Sequence, residues 1–276
     1  MTTHLRPTGA ERREADGGRT RAFAVCVNGR PVGDVELATD ARLGPATGRV
    51  RTLRIHRPER HRGRGTVAAL AAEEVLRGWG CREIVLSLDA RAAVGLRLAT
   101  ALGYTETGRT MDKEPGEAPE LPPAAVVRPL TAAEYPEWRT AEADTYAQRW
   151  LDRGMAPDEA RSRARADHDE LLPAGAATPD VALRVLEHGG VAVGTIWIAL
   201  RPLIATGAYV YSLVVAPEHR GRGHGRTLML VAERECRAAG LRTLGLHVFA
   251  GNEVALRLYE SLGYRPTAYH LRKPLH

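Results

Sequence analysis

YVYSLVVAPEHRGRGHGRTLMLVAERECRAAG, Tyr209–Gly240, is the stretch on which the reading of this chain turns. Its apolar start, Tyr209–Val215, predicts a strand, and the apolar-periodic segment from Arg226 onward predicts a helix. HRGRGHG, His219–Gly225, joins them. The first turn of a helix has unpaired backbone N–H groups at its positive end, so a Gly-rich strand-to-helix turn offers a site to phosphate oxygens. Gly221, Gly223 and Gly225 let the backbone approach a diphosphate without a Cβ in the way, and Arg220, Arg222 and Arg226 add charge. A diphosphate is the expected ligand.

A near copy of the loop, HRGRGTV, occupies His61–Val67, and it belongs to a longer repeat. CVNGRPVG matches LEHGGVAVG, RGWGCREIVLSL matches RAAGLRTLGLHV, and LRLATALGY matches LRLYESLGY, all in the same order. Gly33 and Gly194 are 161 residues apart, Arg62 and Arg220 158, and Tyr104 and Tyr264 160. Each unit reads as hairpin, strand, Gly-rich loop, helix, strand, helix, strand, which is α+β order around a mixed sheet. Ahead of the second hairpin, Val126–Gly175 reads as a strand and two helices broken at Gly154 and Pro157. The first unit has only about twenty residues there, too few for that arm at ordinary element lengths. Met111–Ala125, MDKEPGEAPELPPAA, has the composition of an extended linker. The expected domains are 1–110, 111–125 as linker, and 126–276.

With 276 residues, 44% hydrophobic and 26% charged, the chain is long enough for two cores and reads as globular and soluble. It has no apolar run of membrane-spanning length, and MTTHLRPTGAERRE lacks the apolar core of a secretory signal, so the expected location is cytoplasmic, without a membrane partner. Cys26, Cys81 and Cys236 are too scattered for a disulfide framework or a metal site, and are expected as small buried hydrophobes. The net charge of +6 suits an anionic ligand, but only Lys113 and Lys273 are lysines, so the balance follows arginine usage and carries little weight.

A second motif gives the loop its force. GNEVALRLYESLGY, Gly251–Tyr264, directly follows the expected strand LRTLGLHVFA. Together the two resemble the GNAT superfamily of acyl-CoA-dependent N-acetyltransferases, over essentially all of Val126–Leu275. The family's loop pattern is matched by Arg220, Gly223 and Gly225, and its downstream signature by Asn252, Ala255, Tyr259, Leu262, Gly263 and Tyr264. The resemblance implies two tandem GNAT domains of α/β/α type. Each would have a central mixed, mostly antiparallel sheet flanked by helices, and the first would be truncated and degenerate.

It further implies that the chain binds acetyl-CoA and moves the acetyl group to a small-molecule or peptide amine. The backbone of Leu213, Val214 and Val215 would pair with the pantetheine arm, one of its N–H groups stabilising the oxyanion. The diphosphate would sit on Arg220, Gly221, Arg222, Gly223, His224, Gly225 and Arg226. Asn252 would cap the following helix and touch the cofactor arm, and Tyr259 would be the general acid for the departing thiolate. His247 stands where some members place a catalytic carboxylate; as a base it would raise the neutral fraction of the amine, and a structural histidine is the other reading. Glu218, Tyr209 and Tyr211 are weaker candidates. No metal is implied.

Laid on the first unit, the same positions read Val67 for Gly225, Ser87 for His247, Ala92 for Asn252 and Ala99 for Tyr259. No catalysis is expected there, and cofactor binding is left open. The two domains are expected to pack as a pseudo-dimer, with a homodimer of chains also open. The acceptor would enter over Ala132–Leu172, where Glu134, Glu137, Glu142, Asp144, Asp158, Asp167 and Asp169 could attract a cation, although interleaved arginines make a solvated face the plainer reading. Two rival readings stand beside the enzyme. One is a non-catalytic acyl-CoA sensor or scaffold. The other is nucleic-acid binding through the strip Arg51–Gly65, which lacks interleaved aromatics.

Overall fold

The computed structural model describes residues 3–15, 17–40, 42–117, 119–151, 155–201 and 207–275. The first repeat contains β1 (Thr3–Pro7), β2 (Arg12–Arg13), β3 (Arg19–Val27), β4 (Arg30–Asp40), β5 (Gly44–Ile55), α1 (Arg64–Gly78), β6 (Glu83–Asp89), α2 (Ala93–Ala101) and β7 (Thr105–Lys113). The second contains β8 (Ala125–Pro129), α3 (Tyr135–Leu151), α4 (Pro157–Leu171), β9 (Val181–His188), β10 (Val191–Ala199), β11 (Ala208–Val215), α5 (His224–Ala238), β12 (Leu244–Phe249), α6 (Glu253–Ser261) and β13 (Arg265–Pro274). The fold is the expected mixed, mostly antiparallel sheet with helices.

The chain divides into two compact units, and they do not follow the repeat boundary. Unit 1 takes Met1–Thr110, Val248–Asn252 and Pro266–His276; unit 2 takes Met111–His247 and Glu253–Arg265. In unit 1 the strand order is β1-β3-β4-β5-β6-β13, with β2 on β3. Among the described residues of this unit, β5 and β6 are the parallel pair. In unit 2 the order is β8-β9-β10-β11-β12, with β11 and β12 the parallel pair. Both hairpins turn on two residues of positive φ, Asn28–Gly29 and Gly189–Gly190, the backbone that a tight right-twisted hairpin needs.

Strand β13 belongs to the sheet of unit 1, although the repeat places it at the end of the second domain. It pairs antiparallel with β6, from Ala268 opposite Asp89 to Pro274 opposite Glu83, and Leu271 and Leu275 enter the apolar core of that unit. Lys273 Nζ donates to Glu73 Oε2 at 2.6 Å, where Glu73 is only 4% exposed. The reciprocal arrangement occurs in unit 2. Met111 is fully buried, and Lys113 Nζ donates to Glu233 Oε1 at 2.7 Å, with Glu233 3% exposed. Met111–Lys113, read as the start of a linker, therefore complete β7. A buried carboxylate needs a cation, and each unit takes its lysine from a strand that the other unit's chain segment leads into.

The arm predicted to be missing from the first repeat is missing only in part. β1 pairs with β3 as β8 pairs with β9, so the strand is kept and the two helices are absent. In unit 2 those helices are well signalled. Thr131 and Glu134 cap reciprocally ahead of α3, Thr131 N–H donating to Glu134 Oε2 at 2.9 Å and Glu134 N–H to Thr131 Oγ1 at 3.3 Å. Pro157 opens α4, where its missing N–H costs nothing. Gly154, the other expected break, lies outside the described residues. Cys26, Cys81 and Cys236 are free and buried, and burial pushes the Cys81 and Cys236 thiols up, which leaves them unreactive.

Candidate active site

In unit 2 the parallel strands β11 and β12 pair only over Ala208–Val210 and Leu244–Leu246. β11 runs on to Val215 and β12 to Phe249, and among the described residues no pairing joins them beyond Val210. The strands thus part, leaving main-chain groups of Tyr211–Val215 toward the opening. On its other side β11 stays paired, Leu213 opposite Ile196 and Val215 opposite Gly194, with a bulge at Tyr211 between Ser212 and Val210. An extended amide chain laid in such an opening gains the hydrogen bonds that β12 has given up.

At the end of β11 a short turn, Pro217–His219, leads to the loop. Gly221 and Gly223 are left-handed, at φ 75° and 85°, and α5 starts at His224 with Gly223 as its N-cap. A Cβ at either glycine would meet no atom within 4 Å, so the loop surface is open to a ligand. Gly225 lies under it: a Cβ there would stand 3.3 Å from Leu258 Cδ2 of α6. Arg220 Nε donates to Val215 O at 3.2 Å, and Arg226 to Ser261 Oγ at 2.6 Å, while Arg222 is exposed. The His224 ring is buried, 5.1 Å from His188 and 6.3 Å from His219 between ring centres. Burial holds its pKa below the usual value, with His188, His219 and Arg222 adding like charge. Its backbone N–H, at the helix start, is what an anion would meet.

Tyr259 on α6 is 8% exposed, its ring 6.1 Å from that of Tyr264, and burial pushes its phenol up to about 12. His247 is half-buried, one residue past the last position of β12 paired with β11. Asn252 stands directly before α6, its own N–H returning to Phe249 O at 3.2 Å. Tyr209 and Tyr211 lie edge to face at 5.1 Å, and Tyr211 stacks on Trp197 at 4.8 Å. Glu218 is exposed on the turn.

The fold overturns the pairing of the two loops by their shared HRGRG. α1 starts at Arg64 after a left-handed N-cap, Gly63, just as α5 starts at His224 after Gly223. Arg60 Nε donates to Ile55 O at 2.8 Å, as Arg220 Nε does to Val215 O. A Cβ on Gly65 would meet Leu98 Cδ2 at 3.6 Å, as one on Gly225 would meet Leu258. Gly225 therefore corresponds to Gly65, not to Val67, and Val67 does not crowd the loop. The identical pentapeptide lies two residues out of structural register. One mark of the shift is His61, left-handed at φ 57° where unit 2 has Gly221, a conformation that costs a side-chain-bearing residue about 1–2 kcal/mol.

The first loop is thus complete in Arg60, Gly63 and Gly65, and the two units differ elsewhere. Ser87, Ala92 and Ala99 replace His247, Asn252 and Tyr259. Where unit 2 has His219, unit 1 has buried Glu59, ion-paired with Arg30 and with Arg64, the first residue of α1. The first loop thus has a buried carboxylate beside it, shared between two arginines, where the second has an imidazole.

The model of the acetyltransferase (GNAT) family matches residues 2–104 and 134–264, most of both repeats. The chain belongs to the GNAT acetyltransferase family. A mycothiol acetyltransferase of Nocardiopsis dassonvillei is 34% identical over 239 residues, covering 74% of this GNAT chain and 68% of its own. YycN of Bacillus subtilis, an uncharacterized N-acetyltransferase, is 29% identical over 153 residues, 54% of this chain and 98% of its own. Among solved structures, a tandem GNAT protein from the clavulanic acid biosynthesis pathway shares the fold at a TM-score of 0.52 and 20% identity, over 93% of this chain and 83% of that one. This GNAT protein is accordingly an acetyltransferase with two family-matched repeats. Among its described residues no helix is long and apolar enough to cross a membrane.

Proposed function

We propose that unit 2 transfers the acetyl group of acetyl-CoA to a primary amine by direct attack in a ternary complex. The observation that carries this reading is the parting of β11 from β12 directly ahead of a left-handed Gly221–Gly223 loop at the start of α5. The diphosphate would lie on the loop N–H groups at the helix start, which draw on unpaired donors and the helix dipole together. The pantetheine arm would extend along Leu213–Val215, bringing the thioester toward Tyr211 and Ser212. A main-chain N–H there meets the oxyanion as the amine adds, and Tyr259 donates a hydrogen bond to the departing sulfur. His247 takes a proton from the amine. Holding thioester and amine together supplies much of the rate on its own.

In this reading acetyl-CoA binds once per chain. Unit 1 keeps the loop backbone, but it places the buried Glu59 carboxylate beside the loop, and Ala92, Ala99 and Ser87 remove the chemistry. The rival reading, binding of nucleic acid along Arg51–Gly65, is weakened because several of those arginines are already engaged. Arg51 pairs with Glu14, Arg60 with the Ile55 carbonyl, and Arg64 with Glu59. Calorimetry with acetyl-CoA together with a primary-amine panel scored for free CoA tests the proposal. One site per chain with amine-dependent CoA release is expected. Binding without release from any amine would favour a sensor, and two equivalent sites would overturn the assignment to unit 2.

A further inference from the structure

We propose that Glu142 receives the ammonium group of the acceptor at the reacting end of the β11 opening, and that the acceptor is a cationic primary amine carried on a flat, ring-bearing body. The proposal rests on reading unit 2 as an N-acetyltransferase and specifies the other substrate of that site.

The acidic residues of the helical arm are not equivalent once folded. Glu134 is held by Arg128 and Thr131, Asp158 by Arg161, and Asp169 by Arg139, while Asp167 accepts from Tyr146 Oη at 3.0 Å. Those contacts cap or staple the arm. Glu142 instead crosses from α3 to the sheet, its Oε1 accepting from Ser212 Oγ of β11 at 2.8 Å.

Ser212 is a distinctive place on that strand. The register with β10 slips so that Ser212 faces Trp197 while Val210 faces Ile198, which leaves Tyr211 in the bulge. Pairing with β12 has also ended at Val210. A bulge re-aims the side chains next to it, and here it sits at the head of the opening. If the cofactor arm occupies Leu213–Val215, the thioester end comes up against Ser212 and so against the Glu142 carboxylate.

The surroundings suit an organic cation. Trp138 and Tyr146 lie one turn before and one turn after Glu142 on α3, on the same helix face. Trp138 packs edge-on to Trp197 at 5.8 Å between ring centres, and Trp197 carries Tyr211 stacked upon it. Trp138, Tyr146 and Tyr211 are half-buried, each with part of its surface still exposed. The Tyr146 ring packs on Trp150 and His168, which leaves Trp138 and the bulged Tyr211 as the aromatic residues nearest Glu142 and Ser212 along their elements. A carboxylate attracts an ammonium by charge, ring faces add to it, and the rings give a flat body something to lie against.

The bound ammonium gives up one proton before it attacks. The C–N bond then forms as the C–S bond breaks, the nitrogen sheds its second proton, and the thiolate takes up one. Each turnover yields amide, thiol and one proton released to solvent. Glu142 holds the amine beside the base rather than joining this proton transfer.

The test uses the full chain with phenethylamine and tryptamine as acceptors, 2-phenylethanol as a neutral competitor, and the variants Glu142→Gln and Glu142→Asp. A lost charge-assisted contact should raise the amine KM about ten- to a hundredfold in Glu142→Gln. Acetyl-CoA affinity and the inhibition by 2-phenylethanol should stay at wild-type values, and Glu142→Asp should recover part of the loss. An unchanged amine KM in Glu142→Gln, with acetyl transfer intact, overturns the role of Glu142 and leaves the acetyltransferase reading standing. If the wild type acetylates neither amine, calorimetric binding of phenethylamine to the CoA-loaded protein decides. Binding that Glu142→Gln abolishes upholds the ammonium site while the transfer reading falls. No binding to the wild type overturns both.

Discussion

Tyr259→Phe separates two ways in which a buried phenol could assist thiolate departure. Burial on α6 pushes Tyr259 up to about 12, so the hydroxyl keeps its proton throughout the neutral range. A full transfer from that phenol to a thiolate of ordinary pKa, about 8.5, would run about 5 kcal/mol uphill. Donating a hydrogen bond to the developing charge carries no such cost, and a hydrogen bond to a charged partner contributes about 1.5–3 kcal/mol. The Phe variant should therefore lose about ten- to 150-fold in kcat. Its acetyl-CoA affinity should hold, because the proposed site draws its main cofactor contacts from the loop and β11. The wild-type pH–rate profile should show no limb from Tyr259 between pH of about 7 and 10, where a phenol tuned for full proton transfer would titrate. Stopped release of free CoA, measured at saturating concentrations of both substrates across that range, provides the assay. Unchanged kcat in the Phe variant, or a Tyr259-dependent limb near pH of about 8 to 9, refutes the argument.

Gly223→Ala places a methyl group where the free protein has nothing within 4 Å, so its stability cost should be only the left-handed strain, about 1–2 kcal/mol. Calorimetry should show a larger loss of acetyl-CoA affinity, and equal affinity would remove the loop from the cofactor site. Lys273→Met leaves the Glu73 carboxylate buried with Tyr104 and without its cation, which should lower unfolding stability by about 3–5 kcal/mol in a urea titration. Ending the chain at Arg265 should cost unit 1 still more, because Leu271 and Leu275 leave its core; a truncated chain that melts like the full one would contradict the strand assignment. Burial holds His168 below its usual pKa, so the unfolded chain takes up the proton first, and stability present above pH of about 6.5 should fall on acidification. The urea midpoint should drop between pH of about 7.5 and 5.5, and His168→Asn should flatten that slope.

The features legible in the sequence share one property: their determinants lie within one strand, turn and helix. The Gly221–Gly225 loop, the Asn252–Tyr264 signature and the helix break at Pro157 each report a local backbone requirement, and the fold places each where a local argument puts it. Strand β13 shows the limit of such reasoning. Leu271 on β13 and Leu275 just past it mark apolar positions, but either sheet would bury them, and a buried glutamate awaits a lysine in both, so the meeting of Lys273 with Glu73, about two hundred residues earlier, is written in no local pattern. The acids of the helical arm are indistinguishable in the sequence for the same reason, since helical period says which face a residue lies on and nothing about the strand opposite. The loop repeat adds a sharper case. Letters aligned HRGRG with HRGRG, whereas the chain aligns the left-handed residue before each helix, Gly63 with Gly223, and accepts a strained His61 to do so. Backbone conformation outranked residue identity because a helix start has one geometry that presents its N–H groups to an anion, and a displaced glycine cannot supply it. What distinguishes the two loops is therefore charge and chemistry laid on a common backbone. Glu59 against His219, and Ala99 against Tyr259, put a carboxylate beside one helix start and an imidazole beside the other, and leave the phenol to the second unit alone.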